Sequence, residues 1–311
     1  MGIRAWSARI CGLVVALACA ALLPVPSAVA VVQIPAVDGA NEWTCRPTAE
    51  RPEPVVLVHG SGTDATRSFA VLAPALRAEG HCVFAANLGA APGVVDMMTG
   101  RAGSSSTGVG PIGAALLGQA LFGVADIDRM AGELADVVRL VRNVTGASRV
   151  ALVGHSTGGT VIRQYLGTRG ADATAQVVTL GTPYRGSTWA GLRADYPDLA
   201  ALGLNDDQIA AQVYGTAGQQ QMVGSPLLNR LNTGGETTPG IRYTAIASRA
   251  DDVITPQDTA LLAVPSDGDR NVWLQDGCPA DVADHGGLLT DPRAAAAVLA
   301  ALVDDTRPLP C

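Results

Sequence analysis

One serine stands in a pattern typical of an enzymatic nucleophile. Ser156 is the centre of Gly154-His155-Ser156-Thr157-Gly158, which fits the GxSxG motif of a nucleophile elbow. The apolar run 150–153 precedes the motif and a helical segment follows it, which is the strand, turn and helix that the motif requires. The flanking glycines admit neighbouring backbone, and N–H groups at the helix start favour a developing negative charge. We therefore predict that Ser156 is a nucleophile rather than a simple helix cap.

A serine hydroxyl needs a general base, usually a histidine, and the chain has only four histidines. His155 lies inside the elbow, His59 follows an early predicted strand, and His81 directly precedes another predicted strand. The remaining one, His285, lies in a loop between the last predicted strand and the last predicted helix. Elimination and position therefore both indicate His285 as the general base.

The base must be oriented by a carboxylate, which in chains with such an elbow lies between the serine and the histidine. Asp251 and Asp252 both come just after the predicted strand 243–247. We favour Asp251, because the acid in such loops commonly stands two residues before an aliphatic residue that packs beneath it, here Val253. Asp252 remains the alternative.

Acyl transfer passes through a tetrahedral oxyanion that backbone N–H groups can stabilise. One donor is expected from Thr157, directly after the nucleophile. The second is expected from the glycine-flanked loop after the early strand 55–58, and there we choose the N–H of Ser61. The alternative for this loop is an ordinary turn.

Short valine-rich runs that alternate with helical periodicity predict the elements that must hold these residues. This alternation is typical of the α/β class, with a mostly parallel sheet covered on both faces. The predicted strands are Val55–Val58, Cys82–Ala86, Val150–Val153, Val177–Leu180, Tyr243–Ala247 and Asn271–Leu274. The predicted helices are Leu72–Ala78, Asp126–Val144 (with Gly146 as a terminator), Thr160–Leu166 and Ala294–Val303.

Two stretches, 89–123 and 190–240, interrupt the alternation. Neither has an apolar pattern that would form a core of its own, so we interpret both as insertions above the sheet that form a lid or the walls of an acyl-binding site. Ordinary surface loops are the alternative. Residues 31–311 are accordingly expected to form a single catalytic domain.

The first 30 residues have the composition of a secretory signal peptide. Arg4 and Arg9 precede an apolar run over 10–23, and Ala28-Val29-Ala30 provides a cleavage site. The run is shorter than the roughly 20 apolar residues of a transmembrane helix. We therefore expect cleavage after Ala30 and a secreted, extracellular protein.

Four cysteines follow the predicted signal peptide. Cys45, Cys82, Cys278 and Cys311 in an oxidising compartment favour two disulfides over free thiols. Of the three possible pairings we favour Cys45 with Cys82 and Cys278 with Cys311, since each pair comes from the same half of the chain. The absence of a CxxC pattern disfavours a zinc site.

The charge of the chain disfavours two classes of partner. Of 21 basic residues, Arg4 and Arg9 belong to the predicted signal peptide, which leaves 19 against 28 acidic residues and a net charge of −9. This negative net charge disfavours both nucleic acid and anionic membranes as partners.

Together these segments resemble the secreted bacterial lipases of the α/β-hydrolase fold, and particularly the actinobacterial triacylglycerol lipases and esterases called class 2 lipases. The segments that carry the resemblance are Val55-Val56-Leu57-Val58-His59-Gly60, Gly80-His81-Cys82-Val83-Phe84-Ala85-Ala86-Asn87, Val153-Gly154-His155-Ser156-Thr157-Gly158-Gly159, Leu180-Gly181-Thr182-Pro183-Tyr184-Arg185-Gly186-Ser187 and Asp284-His285.

The resemblance implies a Ser-His-Asp enzyme that needs no cofactor and hydrolyses acyl esters of glycerol or similar alcohols outside the cell. Related lipases from other bacteria can bind structural calcium, but their ligand positions have no one-to-one match in this sequence, so no metal site is predicted. We expect a lipid or small ester substrate and transient contact with lipid interfaces, and we infer no protein partner. Thr157 departs from the family, which usually has glutamine or methionine there; this keeps the backbone donor and changes the wall of the pocket. An acyltransferase or a cutinase-like polyester hydrolase with the same triad is the alternative activity, and an inactive binding protein of the same fold is a third interpretation.

Overall fold

The computed structural model of the chain describes residues 32–90, 121–190 and 192–311. The described residues from Val32 onward form one compact unit. The predicted signal peptide, residues 1–30, and most of the predicted insertion 89–123 lie outside the described residues. Within the described ranges, no helix combines the length and the apolar character needed to cross a membrane.

Six parallel strands form the central sheet of the described chain. They are β1 (Val55–Val58), β2 (Val83–Ala85), β3 (Val150–His155), β4 (Thr174–Leu180), β5 (Arg242–Ala247) and β6 (Arg270–Trp273). Their order is β2-β1-β3-β4-β5-β6, and every neighbouring pair is parallel. The predicted class is therefore confirmed, and each predicted strand is present with ends shifted by three residues or fewer.

The helices of the described residues are α1 (Ala65–Ser68), α2 (Leu72–Ala78), α3 (Ile127–Thr145), α4 (Thr157–Tyr165), α5 (Leu192–Asp195), α6 (Pro197–Ala201), α7 (Asp206–Gln220), α8 (Pro226–Asn232) and α9 (Pro292–Leu302). All four predicted helices are present. Asp126 is the N-cap of α3, and its side chain accepts hydrogen bonds from two N–H groups of the first turn. The C-cap is Gly146, which has the left-handed conformation with φ 76°. Helix α4 begins at Thr157, three residues before the predicted Thr160. The prediction misses the first turn because Gly158 and Gly159 have low helix propensity.

The inner strands of the sheet are buried on both faces, which explains why β1 and residues 150–153 of β3 are continuously apolar. Val56 and Leu152 belong to the cluster on the face that α3 and α4 cover. Val55 and Val153 belong to the cluster on the opposite face, together with residues of α2 and α9. Because adjacent strand residues point to opposite faces, a run of four apolar residues contributes to both clusters.

The stretch 190–240, which was predicted to be an insertion without a core of its own, contributes apolar residues to the main core of the described chain. Its described residues form α5 to α8, and Ile209, Ala217 and Leu227 are buried in the same cluster as α3 and α4. Helix α7 begins with a capping box formed by Asn205 and Gln208. It is interrupted at Gly215, where a Cβ atom would lie 2.2 Å from the carbonyl oxygen of Val124. The polar residues of α7 hide its helical period, so the sequence did not predict it.

Two disulfides tie loops to the sheet. Cys45 is joined to Cys82, which directly precedes β2, with 5.7 Å between their Cα atoms. Cys278, in the loop after β6, is joined to the C-terminal Cys311, with 5.2 Å between Cα atoms. These are the two pairings that the sequence analysis favours.

The strand order reverses direction between β1 and β3, since β2 lies on one side of β1 and the later strands lie on the other. In open α/β sheets, ligands bind outside the carboxyl ends of the strands at such a switch point. Ser61 follows β1 and Ser156 follows β3, so both lie at this position. Asp251 and His285 follow β5 and β6, and their loops leave the same edge of the sheet.

Candidate active site

Ser156 occupies a strained turn between β3 and α4. Its backbone has φ 54° and ψ −126°, a conformation that is sparsely populated for residues other than glycine. The flanking glycines are required by space: a Cβ atom at Gly158 would lie 2.1 Å from the carbonyl oxygen of Val58, and one at Gly154 would lie 2.7 Å from the nitrogen of Gly159. The turn therefore has the geometry of a nucleophile elbow.

The residues after β4 hold the elbow from the side. The Ser156 N–H donates to the carbonyl oxygen of Leu180 at 2.8 Å, and the Thr182 hydroxyl donates to the Ser156 carbonyl oxygen at 3.0 Å. The backbone on both sides of the Ser156 side chain is thus fixed by β4 and the residues that follow it.

Asp251 and His285 form a buried pair. His285 Nδ1 lies 2.8 Å from Asp251 Oδ2, and Asp251 Oδ1 accepts from the N–H groups of Val253 and Ile254 at 3.0 and 2.7 Å. A carboxylate is an acceptor, so the Nδ1 atom of His285 is the donor in this contact. Asp252, the alternative acid, is exposed, and among the described residues the hydrogen-bonded partner of His285 Nδ1 is Asp251.

The loop that carries Asp251 is fixed from two directions. The side-chain amide of Gln257 donates to the Asp251 carbonyl oxygen at 2.8 Å. The Ser187 hydroxyl donates to the carbonyl oxygen of Val253 at 2.8 Å and accepts from the N–H of Thr255 at 3.0 Å. Ser187 ends the Gly-Thr-Pro segment that the sequence resemblance includes, and its role here is to hold the acid loop.

The pair lies beside the elbow. A Cβ atom at Gly181 would be 3.1 Å from both Asp251 Oδ2 and His285 Nδ1, and Gly181 directly follows the residue that binds the Ser156 N–H. The rings of His155 and His285 are also neighbours, with 4.7 Å between their centroids. Three residues that are far apart in the chain therefore converge at one edge of the sheet.

His155 is hydrogen-bonded to the backbone of His285, the predicted base. Its Nε2 donates to the backbone carbonyl oxygen of His285 at 2.9 Å. Burial, aided by the nearby His285, lowers the pKa of His155 to about 3. His155 therefore stays neutral and keeps the single donor that this contact uses.

His59 fixes the loop after β1. Its Nε2 accepts from the N–H of Leu88 at 3.0 Å, so the proton is on Nδ1, which donates to the carbonyl oxygen of Gly60 at 2.8 Å. Burial lowers the pKa of His59, which keeps this neutral form. Gly60 in turn approaches the nucleophile, since a Cβ atom there would lie 3.0 Å from Ser156 Cβ.

The two predicted oxyanion donors, Ser61 and Thr157, are brought together. Their hydroxyl oxygens are 2.8 Å apart, and the Ser61 hydroxyl donates to the carbonyl oxygen of Gly123 at 2.6 Å. Thr157 is the first residue of α4, where the N–H has no acceptor within the helix. The loop after β1 and the start of α4 therefore meet beside Ser156.

No group of three histidine, cysteine or acidic side chains within residues 32–90, 121–190 and 192–311 is arranged to hold a metal ion. The polar groups at this edge are instead connected by hydrogen bonds to one another. The arrangement can activate a hydroxyl, move its proton to an imidazole and offer N–H donors to an oxyanion.

A parallel sheet with this elbow at its switch point defines an α/β hydrolase architecture. The chain belongs to the alpha/beta hydrolase family, which matches residues 55–306. A triacylglycerol lipase of Pseudarthrobacter phenanthrenivorans is 40% identical over 86 residues, 27% of this chain and 27% of that protein. A triacylglycerol lipase of Burkholderia plantarii is 40% identical over 86 residues, 27% of this chain and 24% of that protein. The matched part is therefore about a quarter of each relative.

Solved structures agree in fold. Aspergillus fumigatus lipase B superposes with a TM-score of 0.59 at 18% identity, over 87% of this chain and 55% of that one. Bacillus licheniformis lipase BlEst2, in its propeptide form, superposes with a TM-score of 0.50 at 19% identity, over 83% of this chain and 51% of that one.

The residues that support the site are not predictable from the sequence. Elimination among the histidines gives no role to His59 and His155, and nothing in the sequence indicates their hydrogen bonds to Gly60 and His285. Ser187 has a sequence signal only as part of a segment that resembles the lipases. Gln221, which contacts Thr157 at 2.9 Å, lies in the stretch 190–240, where the sequence gives no signal for it.

The buried histidines predict a loss of stability in mild acid. The pKa of His155 is about 3 in the folded protein and about 6.5 in the unfolded chain. The unfolded state therefore binds the extra proton as the pH falls below 6.5, and the free energy of unfolding decreases. Between pH 7 and pH 5 we expect His155 to account for a decrease of about 2 kcal/mol, measured by urea unfolding.

A His155→Gln variant tests this assignment, because glutamine keeps an N–H donor toward the His285 carbonyl oxygen and does not titrate. Its decrease between the two pH values should be smaller than that of the wild type by about 2 kcal/mol. Identical pH dependence in the two proteins would refute the role of His155.

Proposed function

We propose that this protein is a carboxylic ester hydrolase of the lipase or esterase type, with Ser156, His285 and Asp251 as its catalytic triad. The observation that carries the proposal is the buried pair of His285 and Asp251, 2.8 Å apart, beside a serine held at φ 54°. A histidine and a carboxylate next to an elbow serine are the components of acyl transfer through an acyl-enzyme.

In the first half of the reaction, the Ser156 hydroxyl oxygen attacks the ester carbonyl carbon and its proton passes to His285 Nε2. Asp251 stabilises the imidazolium that forms. The tetrahedral intermediate carries its negative charge on the former carbonyl oxygen, toward which the backbone N–H groups of Ser61 and Thr157 donate. When the intermediate collapses, His285 Nε2 returns the proton to the departing alcohol.

In the second half, a water molecule replaces the alcohol. His285 Nε2 takes a proton from the water while the water oxygen attacks the acyl-enzyme, and the same two N–H groups stabilise the second oxyanion. Collapse of this intermediate releases the carboxylic acid and returns the proton to the Ser156 oxygen. The cycle consumes one water and needs no cofactor.

The proposed substrates are acyl esters of lipids or small alcohols. This follows from the named activity of the two triacylglycerol lipases that share a quarter of their length with this chain. We further propose that the protein is secreted, because residues 1–30 have the composition of a signal peptide. Two disulfides are typical of proteins that fold in an oxidising compartment.

Labelling by a fluorophosphonate probe tests the nucleophile. We expect the wild-type protein to be labelled once and Ser156→Ala to be unlabelled, because the probe reacts only with an activated serine. The same pair is then assayed on p-nitrophenyl esters with acyl chains of two to sixteen carbons, a series in which activity on the long chains separates a lipase from an esterase. A wild-type protein that is neither labelled nor active on any ester would disprove the proposal.

Two neighbouring substitutions test the acid. Asp251→Asn keeps an acceptor for the N–H groups of Val253 and Ile254 but cannot stabilise an imidazolium, so kcat should fall by a factor of about 10³ to 10⁴. Asp252→Asn, the matched control at an exposed position, should change kcat by less than about threefold. Both variants should keep the wild-type circular dichroism spectrum, and a larger loss in Asp252→Asn would overturn the assignment.

A further inference from the structure

Gln221 is a fully buried polar side chain that none of the proposed catalytic steps uses. It follows α7 directly, in the stretch between β4 and β5, and is 0% exposed. Its side-chain amide contacts three residues: Nε2 lies 2.9 Å from Thr157 Oγ1 and 3.0 Å from the carbonyl oxygen of Ala217, and Oε1 lies 2.9 Å from Thr160 Oγ1. Two of these three partners belong to α4, the helix that Ser156 precedes.

The contacts determine which way the amide points. The carbonyl oxygen of Ala217 is only an acceptor, so the nitrogen of the Gln221 amide must face it. The same nitrogen then donates its second hydrogen to Thr157 Oγ1. The oxygen is left to accept from the Thr160 hydroxyl, and every hydrogen-bonding group of the buried amide is satisfied.

This orientation gives the neighbouring hydroxyls a direction as well. The carbonyl oxygen of Gly123 can only accept, so the Ser61 hydroxyl donates its single hydrogen to it. In the contact between Ser61 and Thr157, the Thr157 hydroxyl must therefore be the donor. The result is one directed chain: the Gln221 amide donates to Thr157, Thr157 donates to Ser61, and Ser61 donates to Gly123.

The backbone of Gln221 reaches the other side of the site. Its carbonyl oxygen accepts from the N–H of Ser187 at 2.9 Å, and the Ser187 hydroxyl holds the backbone of Val253 and Thr255 in the acid loop. One residue is therefore hydrogen-bonded both to Thr157, one of the two proposed oxyanion donors, and to the segment that supports Asp251.

We propose that Gln221 is a positioning residue for the oxyanion hole, which links the helices between β4 and β5 to the backbone donors of Thr157 and Ser61. The inference rests on the proposed ester hydrolysis. Gln221 does not touch the reacting atoms. It holds the Thr157 hydroxyl directly and the Ser61 hydroxyl through Thr157. The backbone N–H groups of both residues are then already aimed when the oxyanion forms, and such preorganised donors lower the barrier.

The test replaces Gln221 by methionine, which has a similar length and no hydrogen-bonding amide. We expect kcat for p-nitrophenyl butyrate to fall about tenfold with KM changed by less than twofold, because small displacements of donors act on the transition state. Gln219→Met, the same substitution at an exposed position two residues earlier, is the matched control and should keep the wild-type kcat.

Thr157 supplies a second test that does not depend on the fold tolerating a change at 221. Thr157→Val removes the hydroxyl and keeps the backbone N–H, so it should lower kcat by a similar factor, whereas Thr157→Ser should recover most of the loss. The double variant Gln221→Met/Thr157→Val should lose no more than the larger single loss, because both changes break the same chain. Titration with a p-nitrophenyl phosphonate counts competent Ser156 sites, so that kcat is reported per folded enzyme.

The outcomes distinguish a failure of the positioning role of Gln221 from a failure of the proposed ester hydrolysis. A wild type that hydrolyses the ester, with Gln221→Met matching Gln219→Met in kcat, would refute the positioning role and leave the proposed function intact. A rise in KM at constant kcat, or multiplied losses in the double variant, would also refute it. An inactive wild type in which the phosphonate finds no reactive serine would overturn the proposed function and this inference together.

Discussion

The close approach of α4 to the end of β1 is the constraint on which the site depends. A Cβ atom at Gly158 would lie 2.1 Å from the carbonyl oxygen of Val58, so only glycine allows the helix to start this near the sheet. That start forces Ser156 into a conformation whose strain is on the order of 1 to 3 kcal/mol for a residue with a side chain. The strain persists because Leu180 and Thr182 bond the backbone on both sides of the serine. This conformation places the Ser156 hydroxyl at the N-terminus of α4, where backbone N–H groups have no acceptor within the helix.

The sheet distributes the remaining parts of the site. Parallel strands end at one edge, so loops that follow β1, β3, β5 and β6 meet there although they span more than 220 residues of chain. Two buried neutral histidines fix the backbone of the loops that follow β1 and β6. His59 and His155 each donate one hydrogen bond to a backbone carbonyl of a loop, Gly60 and His285 respectively. Burial lowers both pKa values, and this matters because a protonated ring would carry an unpaired charge into the core.

The sequence predicted those parts of the molecule that depend on local pattern. The apolar runs predict the six strands, and the spacing of apolar residues by three and four predicts α3. Both patterns arise because strands and helices bury particular faces against the core. The motif spacing predicts Ser156 as the nucleophile, and the chain order and the small number of histidines predict His285 as the base. The sequence pattern does not separate Asp251 from Asp252, because two adjacent aspartates have the same local pattern. Their difference is one of burial and of contact with His285, which tertiary structure alone provides.

What the sequence could not predict are contacts between polar side chains that lie far apart in the chain. Gln221 is 64 positions from Thr157, and Ser61 is 96 positions from it. A buried glutamine in a polar stretch has the same appearance in sequence as an exposed one, for example Gln219. Their difference arises when α7, interrupted at Gly215, packs against Val124 and brings its end to α4. An uncompensated buried amide would be unfavourable by about 1 to 3 kcal/mol, and here Thr157, Thr160 and the carbonyl oxygen of Ala217 compensate it. The contact with Thr157 that compensates the buried amide of Gln221 is therefore also the contact that joins the segment between β4 and β5 to the proposed oxyanion donors.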